Sequence, residues 1–462
     1  MKFFKLPPRI ATFGLASYLM LSTTHVLAED LMDFWKSAMT REPSYVASKF
    51  EQLAGERRKE QADSVWRPNV FLNAGLGYLN SSSSTAGAYF STPGGMVSTD
   101  AIFNTSINNG VLSRYALTAV QPLYDQERSA NRKQLLLSSN IADLSWLQAQ
   151  QNLILLVSER YFDFLKAKEA LRLAKKQEQA ISTMYAEIRK RNELGDASQT
   201  DLQEALQKME QTRVGVSNAE MDLKNKQMAL IDLMPEARNM KSLNTMMSIQ
   251  SKHLNSLESY LGLMKKQNIQ LKIVQLNQDS IKAEMSKFTL AGSPKVELFA
   301  RSAKDRITGS GDYGAVADNT MTSNSVGVQL SVPLYTGGYR SAKQEELLLN
   351  LDKAKAEYDR SSIDMERNLR SIWLYLDSAG PRINSLNASY QAAKSRLNST
   401  RQGHRAGSRT TLELLGAEID AVNTEYSVYS ERINLLMNRI RLDSIVGNLG
   451  EEQLHAINAY LK

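Results

Sequence analysis

The feature that most constrains this chain is an internal duplication. The segment Arg128-Ser129-Ala130 recurs as Arg340-Ser341-Ala342, and Gly195 corresponds to Gly407 at the same offset of 212 residues. Nearly constant offsets over about seventy residues are hard to obtain by chance, and self-similarity of this kind is typical of repeat architectures. We therefore expect two tandem copies of one structural unit that fold in the same way.

Each copy predicts the same order of elements: a helix, two strands joined by a long loop, and two long helices joined by a short turn. In the second copy, apolar side chains from Met365 to Leu397 and from Leu412 to Ile440 recur in steps of four and three, which define heptad seams. Residues 129–194 contain no proline and would span ~100 Å as one helix, whereas Gly380-Pro381 is expected to kink the equivalent helix. The helices alone are equally compatible with a soluble bundle or a coiled-coil rod.

The strands favour a barrel wall in a membrane. In the segment Val326–Val332 every second residue is Val or Leu, and the residues between them are Gly, Gln and Ser. Residues 70–78 and 296–301 also alternate, as a wall between lipid and water requires, although a half-buried soluble sheet has the same pattern. The polar segments 81–110 and 308–325 are expected to be long loops.

The number of strands limits how such a barrel is built. Four strands cannot close a barrel, because the known minimum is about eight. An open sheet edge cannot face lipid, since its backbone groups would have no hydrogen-bond partners. Several copies of the chain are therefore expected to share one barrel, and no apolar stretch after Ala28 reaches the length of a membrane-spanning helix.

The N-terminus has the pattern of a secretory signal peptide. A basic start precedes the apolar run Ile10–Leu21, and Val26-Leu27-Ala28 is a typical small-residue cleavage site. We expect residues 1–28 to be removed and the protein to be exported, with an uncleaved anchor as the alternative. The net charge of +7 includes three basic residues of this segment, so the remainder gives little support to a nucleic-acid partner, and none is expected.

No enzyme, cofactor or metal site is expected. The chain has no Cys, which excludes disulfides, thiolate catalysis, cysteine-based zinc sites and lipidation of an N-terminal cysteine. The four His residues are scattered, and neither a Gly-x-Ser-x-Gly elbow nor a phosphate-binding loop is present. The carboxylates lie among Lys and Arg on helix faces, which indicates solvated surfaces.

With these features together, the chain resembles the TolC family of outer-membrane channel-tunnel proteins over essentially its whole mature length. The resemblance rests on the duplicated order of elements, the Pro-Leu-Tyr strand exits at 122–124 and 333–335, the glycine-containing helical turns, and the tail Gly447–Leu454. It implies a mixed α and β, mostly α fold. In that fold a homotrimer shares a twelve-stranded outer-membrane β-barrel, with four strands from each chain, continued by a long periplasmic α-helical barrel.

The resemblance also implies a function, a location and partners. The protein would be a passive outer-membrane exit duct of a tripartite export system, serving type I protein secretion or small-molecule efflux. Its partners would be outer-membrane lipid, a periplasmic adaptor protein, and an inner-membrane ABC or proton-driven transporter. A periplasmic coiled-coil scaffold or adaptor is the alternative, although such a protein needs neither the alternating strands nor the duplication.

The predicted organisation has five parts. They are the signal peptide at 1–28, a first repeat at 29–234, an inter-repeat linker at 235–256, a second repeat at 257–446 and a C-terminal tail at 447–462.

The resemblance further implies a gate at the periplasmic tip. The family's Gly-x-Arg-Thr turn is matched by Gly407-Ser408-Arg409-Thr410, and its Thr-Asp pair is matched by Thr200-Asp201. Arg409 and Asp201 are thus expected to make a charge-assisted contact that latches two helices. The family's acidic constriction is matched by Glu413, while Gly416 stands where a second acid is expected. In the alternative interpretation these residues are solvated, with Thr200 as an N-cap and Glu413 as a first-turn acid.

Two further hypotheses concern the same tip. His404 replaces the family's tyrosine before the turn, and gating is expected to respond to pH because an unperturbed imidazole titrates at about 6.5. Leu194-Gly195 and Ala406-Gly407 are expected to end helices, since Gly tolerates the left-handed cap. In the family these turns meet the adaptor, so they are candidate docking sites.

Aromatic residues flank the predicted strands at Trp66, Tyr78, Tyr124 and Tyr335. In an outer-membrane barrel they would form a girdle at the lipid–water interface. Ordinary packing at the junction of strands and helices is the alternative.

Overall fold

The computed structural model describes residues 29–91, 93–95, 97–236, 240–244, 254–289, 293–311 and 315–461. The predicted signal peptide lies outside the described residues, as does much of the predicted linker.

The order of elements occurs twice along the chain. Each copy has two helices, two strands and two more helices, so the single first helix predicted for each copy is in fact a pair. In chain order the elements are α1 (Leu31–Arg41), α2 (Pro43–Ser64), β1 (Asn69–Ser91), β2 (Val97–Asp125), α3 (Gln126–Glu193), α4 (Gln199–Ile231), α5 (Leu257–Gln267), α6 (Ile269–Thr289), β3 (Lys295–Ser310), β4 (Val316–Ser331), α7 (Tyr339–Arg405), α8 (Thr411–Val446) and α9 (Glu451–Asn458).

The helices α3 and α7 dominate the molecule. They contain 68 and 67 residues, which corresponds to a length of ~100 Å each. Helix α3 starts where the carboxylate of Asp125 accepts hydrogen bonds from the first free backbone amides, those of Glu127 and Arg128. Helix α7 runs through Pro381 without ending, although a proline removes one hydrogen bond of the helix. None of the helices in the described ranges is long and apolar enough to cross a membrane.

The four strands form one antiparallel sheet in the order β1-β2-β3-β4. The prediction of long loops at 81–110 and 308–325 is wrong, because strands occupy most of both segments. Strand β1 extends to Ser91 and β2 begins at Val97, while β3 extends to Ser310 and β4 begins at Val316. These parts of the strands carry polar residues on both faces. They therefore form backbone hydrogen bonds to the neighbouring strand without the alternation of apolar and polar residues by which a half-buried strand is recognised in a sequence.

The sheet has two chemically different faces, which follow from the register. One face, here called the apolar face, consists mainly of exposed large apolar side chains: Val70, Leu72, Leu76, Tyr78, Val111, Tyr115, Leu117, Leu298, Val326, Val328 and Leu330. The opposite face, here called the polar face, is mainly small or polar: Asn73, Gly75, Gly77, Arg114, Thr118, Arg301, Asp305, Ser323, Ser325 and Gln329. The larger apolar residues on it are Phe71, Leu79, Leu112, Val120, Phe299, Ile307 and Met321. Among the described residues, no helix packs extensively against either face over this band.

Three hydrophobic clusters hold the helices together. The largest joins α1, α9 and the middle of α3 and α8 around the fully buried Tyr161, whose hydroxyl donates to the carbonyl of Lys241. A second joins α5, α7 and α8 around Leu369. The third lies near the end remote from the sheet, where all four long helices meet. This third cluster, the tip core, supports the predicted gate.

Candidate functional site at the helical tip

The two helical hairpins turn in the same way. The C-cap residues of α3 and α7 are Leu194 and Ala406, and the next residues, Gly195 and Gly407, have φ of +83° and +77°. In each turn the two amides after the cap bond back to helix carbonyls, as Asp196 N does to Arg191 O at 2.8 Å. The prediction that these glycines end helices in left-handed caps is confirmed.

The returning helices also begin alike. Ser198 caps α4 and accepts from the Asp201 amide, while the Asp201 carboxylate accepts from the Ser198 amide. Thr410 and Glu413 form the equivalent capping box of α8, 212 residues later. Thr200 is therefore not an N-cap, because α4 starts at Gln199 and the extended residue before it is Ser198.

The charges of the tip are satisfied within each turn. The guanidinium of Arg409 donates to Glu413 at 2.8 Å, and the Asp201 carboxylate accepts from the Ser198 hydroxyl at 2.7 Å. Hydrogen bonds from the Thr410 amide and from Arg409 lower the pKa of Glu413. The structure thus does not bring Arg409 and Asp201 together within one chain, because each is held by the capping box of its own helix.

His404 lies inside the α7–α8 hairpin. It is buried, and its Nε2 is 3.3 Å from the hydroxyl of Thr411. It also lines a cleft of about 380 Å³ between α3 and the α7–α8 hairpin. The charged groups that line this cleft are Lys176 and Glu187 from α3, Arg401 and Arg405 from α7, and Glu418 from α8.

The tip core joins the two hairpins below this cleft. Its buried side chains come from both copies: Ile181, Met184, Ile188, Ala205, Met209, Leu397, Leu414, Leu415, Ala417 and Ala421. Burial of apolar area of this kind contributes about 25 cal/mol per Å². Movement of one hairpin away from the other would expose part of this cluster to water, so the tip core favours the joined arrangement.

An ion-pair cluster also links the hairpins, and the sequence analysis missed it. The carboxylate of Glu425 on α8 accepts from Arg172 and Lys176 on α3, each at 2.8 Å. Burial by itself would raise the pKa of Glu425, but the hydrogen bonds and charges of Lys176 and Arg172 outweigh it and lower the pKa. The spacing of the two cations, one helical turn apart, was visible in the sequence, whereas their partner on another helix was not.

Other ion pairs act within a single hairpin. Arg401 pairs with Glu418 and Arg396 with Asp420, both between α7 and α8. Lys175 on α3 pairs with Glu220 on α4 at 2.7 Å. These pairs stabilise each hairpin internally. Glu425 instead joins α8 to α3 of the other repeat, as does the pair of Arg441 with Glu159 at 3.2 Å.

The predicted aromatic residues lie at two levels of the sheet. Tyr78 is exposed on the apolar face, about 30 Å along β1 from Asn69. Tyr124 and Tyr335 are exposed at the helix-proximal end, and the carbonyl of Trp66 accepts from Gln121 there. The structure also places no group of three or more His, Asp or Glu side chains in a metal-binding arrangement among the residues it describes.

The sequence of this chain matches a known protein family over most of its length. The profile of the family described as outer membrane efflux protein matches residues 35–235 and 261–448. The chain is 24% identical over 463 residues to outer membrane protein TolC of Escherichia coli (strain K12), covering 98% of this chain and 88% of that protein. It is 25% identical over 460 residues to the proteases secretion protein PrtF of Dickeya chrysanthemi, covering 96% and 94%.

Solved structures share the fold. The outer membrane protein VceC of Vibrio cholerae superposes with a TM-score of 0.72 at 14% identity, covering 90% of this chain and 96% of that one. Since the family profile spans well over half of the sequence, the chain belongs to the outer membrane efflux protein family.

Proposed function

We propose that this protein is the outer-membrane exit channel of a tripartite export system, serving type I protein secretion or small-molecule efflux. The observation that carries the proposal is the sheet, whose apolar face is exposed and whose outer edges, on β1 and β4, have no partner strand among the described residues. Relatives named for efflux and for protease secretion support the same function. The family is one of transport proteins, and no catalytic role is proposed.

We infer that three chains share one barrel. The strand β1 is 23 residues long, and its free edge would leave a row of backbone groups unpaired in lipid. Pairing β4 of one chain with β1 of the next removes both edges, and three chains of four strands give twelve. In this arrangement the apolar face contacts lipid, the polar face lines the lumen, and the exposed tyrosines form the interfacial girdle.

The long helices would then continue the duct into the periplasm. Each chain contributes the α3–α4 and α7–α8 hairpins, so three chains form a closed wall of helices that ends at the two kinds of turn. Leu194 is 70% exposed at one of these turns, beside Gly195. An exposed leucine on a rigid cap is a good anchor for an apolar contact, and we propose that Leu194-Gly195 and Ala406-Gly407 are where the adaptor docks.

Opening requires the α7–α8 hairpin to move away from the α3–α4 hairpin. This movement breaks the bonds of Glu425 and exposes part of the tip core, so both features hold the channel closed. Because Arg409 and Asp201 do not meet within a chain, we propose that any latch between them joins neighbouring subunits. Thr200, Glu413 and His404 lie at the same level and belong to the proposed gate region.

The test is cell fractionation followed by electrophoresis with and without heating. We expect the mature protein in the outer-membrane fraction, migrating as a trimer without heating and as a monomer after boiling. A soluble periplasmic rod would refute the channel and favour the scaffold alternative. Monomers in the outer membrane, even after mild extraction and cross-linking, would refute the shared barrel.

A further inference from the structure

The middle of the polar face, formed by residues 299–307 of β3 and the strand residues paired with them, carries an unbalanced positive charge. Along the paired strands the charged side chains of the whole face are Arg114 and Asp125 on β2 and Lys295, Glu297, Arg301 and Asp305 on β3, and only Arg114, Arg301 and Asp305 lie in this middle stretch. The strands β1 and β4 contribute no charged side chain to this face within the same register.

Most of these charges are neutralised locally. Arg114 donates two hydrogen bonds to Asp305, each at 2.9 Å, which is the geometry of a strong bidentate pair. Lys295 is 2.7 Å from Glu127, and Glu297 is 4.0 Å from Arg128.

Arg301 is different. It is exposed and makes no hydrogen bond or ion pair with any other residue in the described part of the chain. The residues opposite it in register are Thr118 and Ser325, which are small and uncharged. The charge of its guanidinium is therefore not neutralised by an ion-pair partner, and the side chain has room to extend away from the sheet.

We propose that Arg301 is a charge-selectivity determinant of the channel and favours the passage of anions, including acidic groups of the cargo. The inference rests on the proposed function, because the polar face must line the lumen of a three-chain barrel. Threefold symmetry then places three copies of Arg301 at one level, and rings of Arg or Lys are a recognised means by which pores select anions. Since Arg114 and Asp305 cancel, Arg301 accounts for the excess charge in the middle of this face.

The chain provides a matched control on the other face. Lys304 is also an exposed cation of β3, only three residues from Arg301, but it lies on the face that carries Val296 and Leu298. Its charge would project outward, away from the permeating ions and behind the barrel wall. Removing this charge should leave selectivity unchanged if the faces are assigned correctly.

The experiment measures the chloride-to-potassium permeability ratio from the reversal potential of the purified full-length protein in a planar bilayer under a KCl gradient. Three charges about 10 Å from a permeating ion, screened over a Debye length of similar size, change this ratio about twofold. We expect Arg301→Gln to lower the ratio about twofold and Arg301→Glu to lower it further. Arg301→Lys, which keeps the charge, and Lys304→Gln should both retain the wild-type ratio.

The outcomes separate this inference from the proposed function. A conducting channel whose ratio is the same in wild type and Arg301→Gln would overturn the inference while leaving the channel in place. Equal changes for Arg301→Gln and Lys304→Gln would overturn it as well, since the effect would then not depend on the face. Folded, membrane-inserted wild type without any conductance would refute the proposed function itself.

Discussion

Replacing Glu425 with Gln should open the channel, because this carboxylate bonds two cations of the opposite hairpin. The substitution keeps the size of the side chain and removes the charge that joins α8 to Arg172 and Lys176 on α3. The tip core is untouched, so the variant should fold and assemble as the wild type does.

The magnitude follows from the geometry of the cluster. The Glu425 side chain is 20% exposed, whereas those of Arg172 and Lys176 are 53% and 55% exposed. Buried hydrogen bonds to a charged group contribute about 1.5–3 kcal/mol to stability. Because the two cations here are half exposed to water, this contribution falls toward that of a typical surface ion pair, about 0.2–1 kcal/mol. We therefore expect Glu425→Gln to reduce the free energy that holds the hairpins together by about 1–2 kcal/mol per subunit. In each subunit the equilibrium between joined and separated hairpins then shifts roughly five- to thirtyfold toward opening.

The assay is single-channel recording in planar bilayers, with open probability and conductance measured for wild type and Glu425→Gln. The matched control is Glu220→Gln, which removes an ion pair with Lys175 inside the α3–α4 hairpin and should leave gating unchanged. If Glu425→Gln behaves as the wild type does, or if Glu220→Gln opens the channel equally, separation of the hairpins is not the opening movement.

Three further predictions concern the tip and its surroundings. Because the pKa of Glu425 is lowered, its contribution to closure should persist as pH falls from 7 to 5 and be lost only as pH falls below the ordinary range of a glutamate, as channel recordings against pH would show; a loss of closure between pH 7 and 5 that Glu425→Gln abolishes would contradict this sign. Ser198→Ala should lower the free energy of unfolding by about 0.5–2 kcal/mol and increase hydrogen exchange in the first turn of α4, whereas Thr200→Ala, which removes no cap, should change neither; equal effects of the two would contradict the capping assignment. Gly407→Ala should lower the free energy of unfolding by about 1–2 kcal/mol in thermal denaturation, since its φ of +77° strains alanine although no atom lies within 4 Å of an added Cβ; an unchanged melting temperature would show that the turn relaxes.

Much of the helical part was predictable because its signals are local. Heptad spacing sets the seams of α7 and α8, and the absence of proline permits the 68-residue helix α3. The left-handed glycines at 195 and 407 could be predicted from their position at the helix ends, since glycine adopts that backbone most readily. Such features depend on neighbours in sequence, and one sequence is enough to recognise them.

The remaining features depend on contacts between distant segments. Strand residues beyond the apolar band, such as Ser81–Ser84 on β1, have no periodicity, and only pairing with residues 104–107 makes them strand. The interpretation of Thr200 as the N-cap of α4 was two residues away from the observed cap, Ser198, because a sequence fixes the start of a helix only to within a residue or two. The hydrogen bonds of Glu425 join residues about 250 positions apart in the sequence, as the separation between Lys176 and Glu425 shows. No local sequence pattern predicts such a contact.

The most direct test of the exit channel is the conductance of the purified wild-type protein in a planar bilayer. The account predicts discrete steps of low conductance, because in the proposed trimer three chains close a water-filled barrel at one end while the joined hairpins narrow the other. Protein that is shown to be folded, trimeric and inserted, yet passes no ions under any applied voltage, would contradict the account.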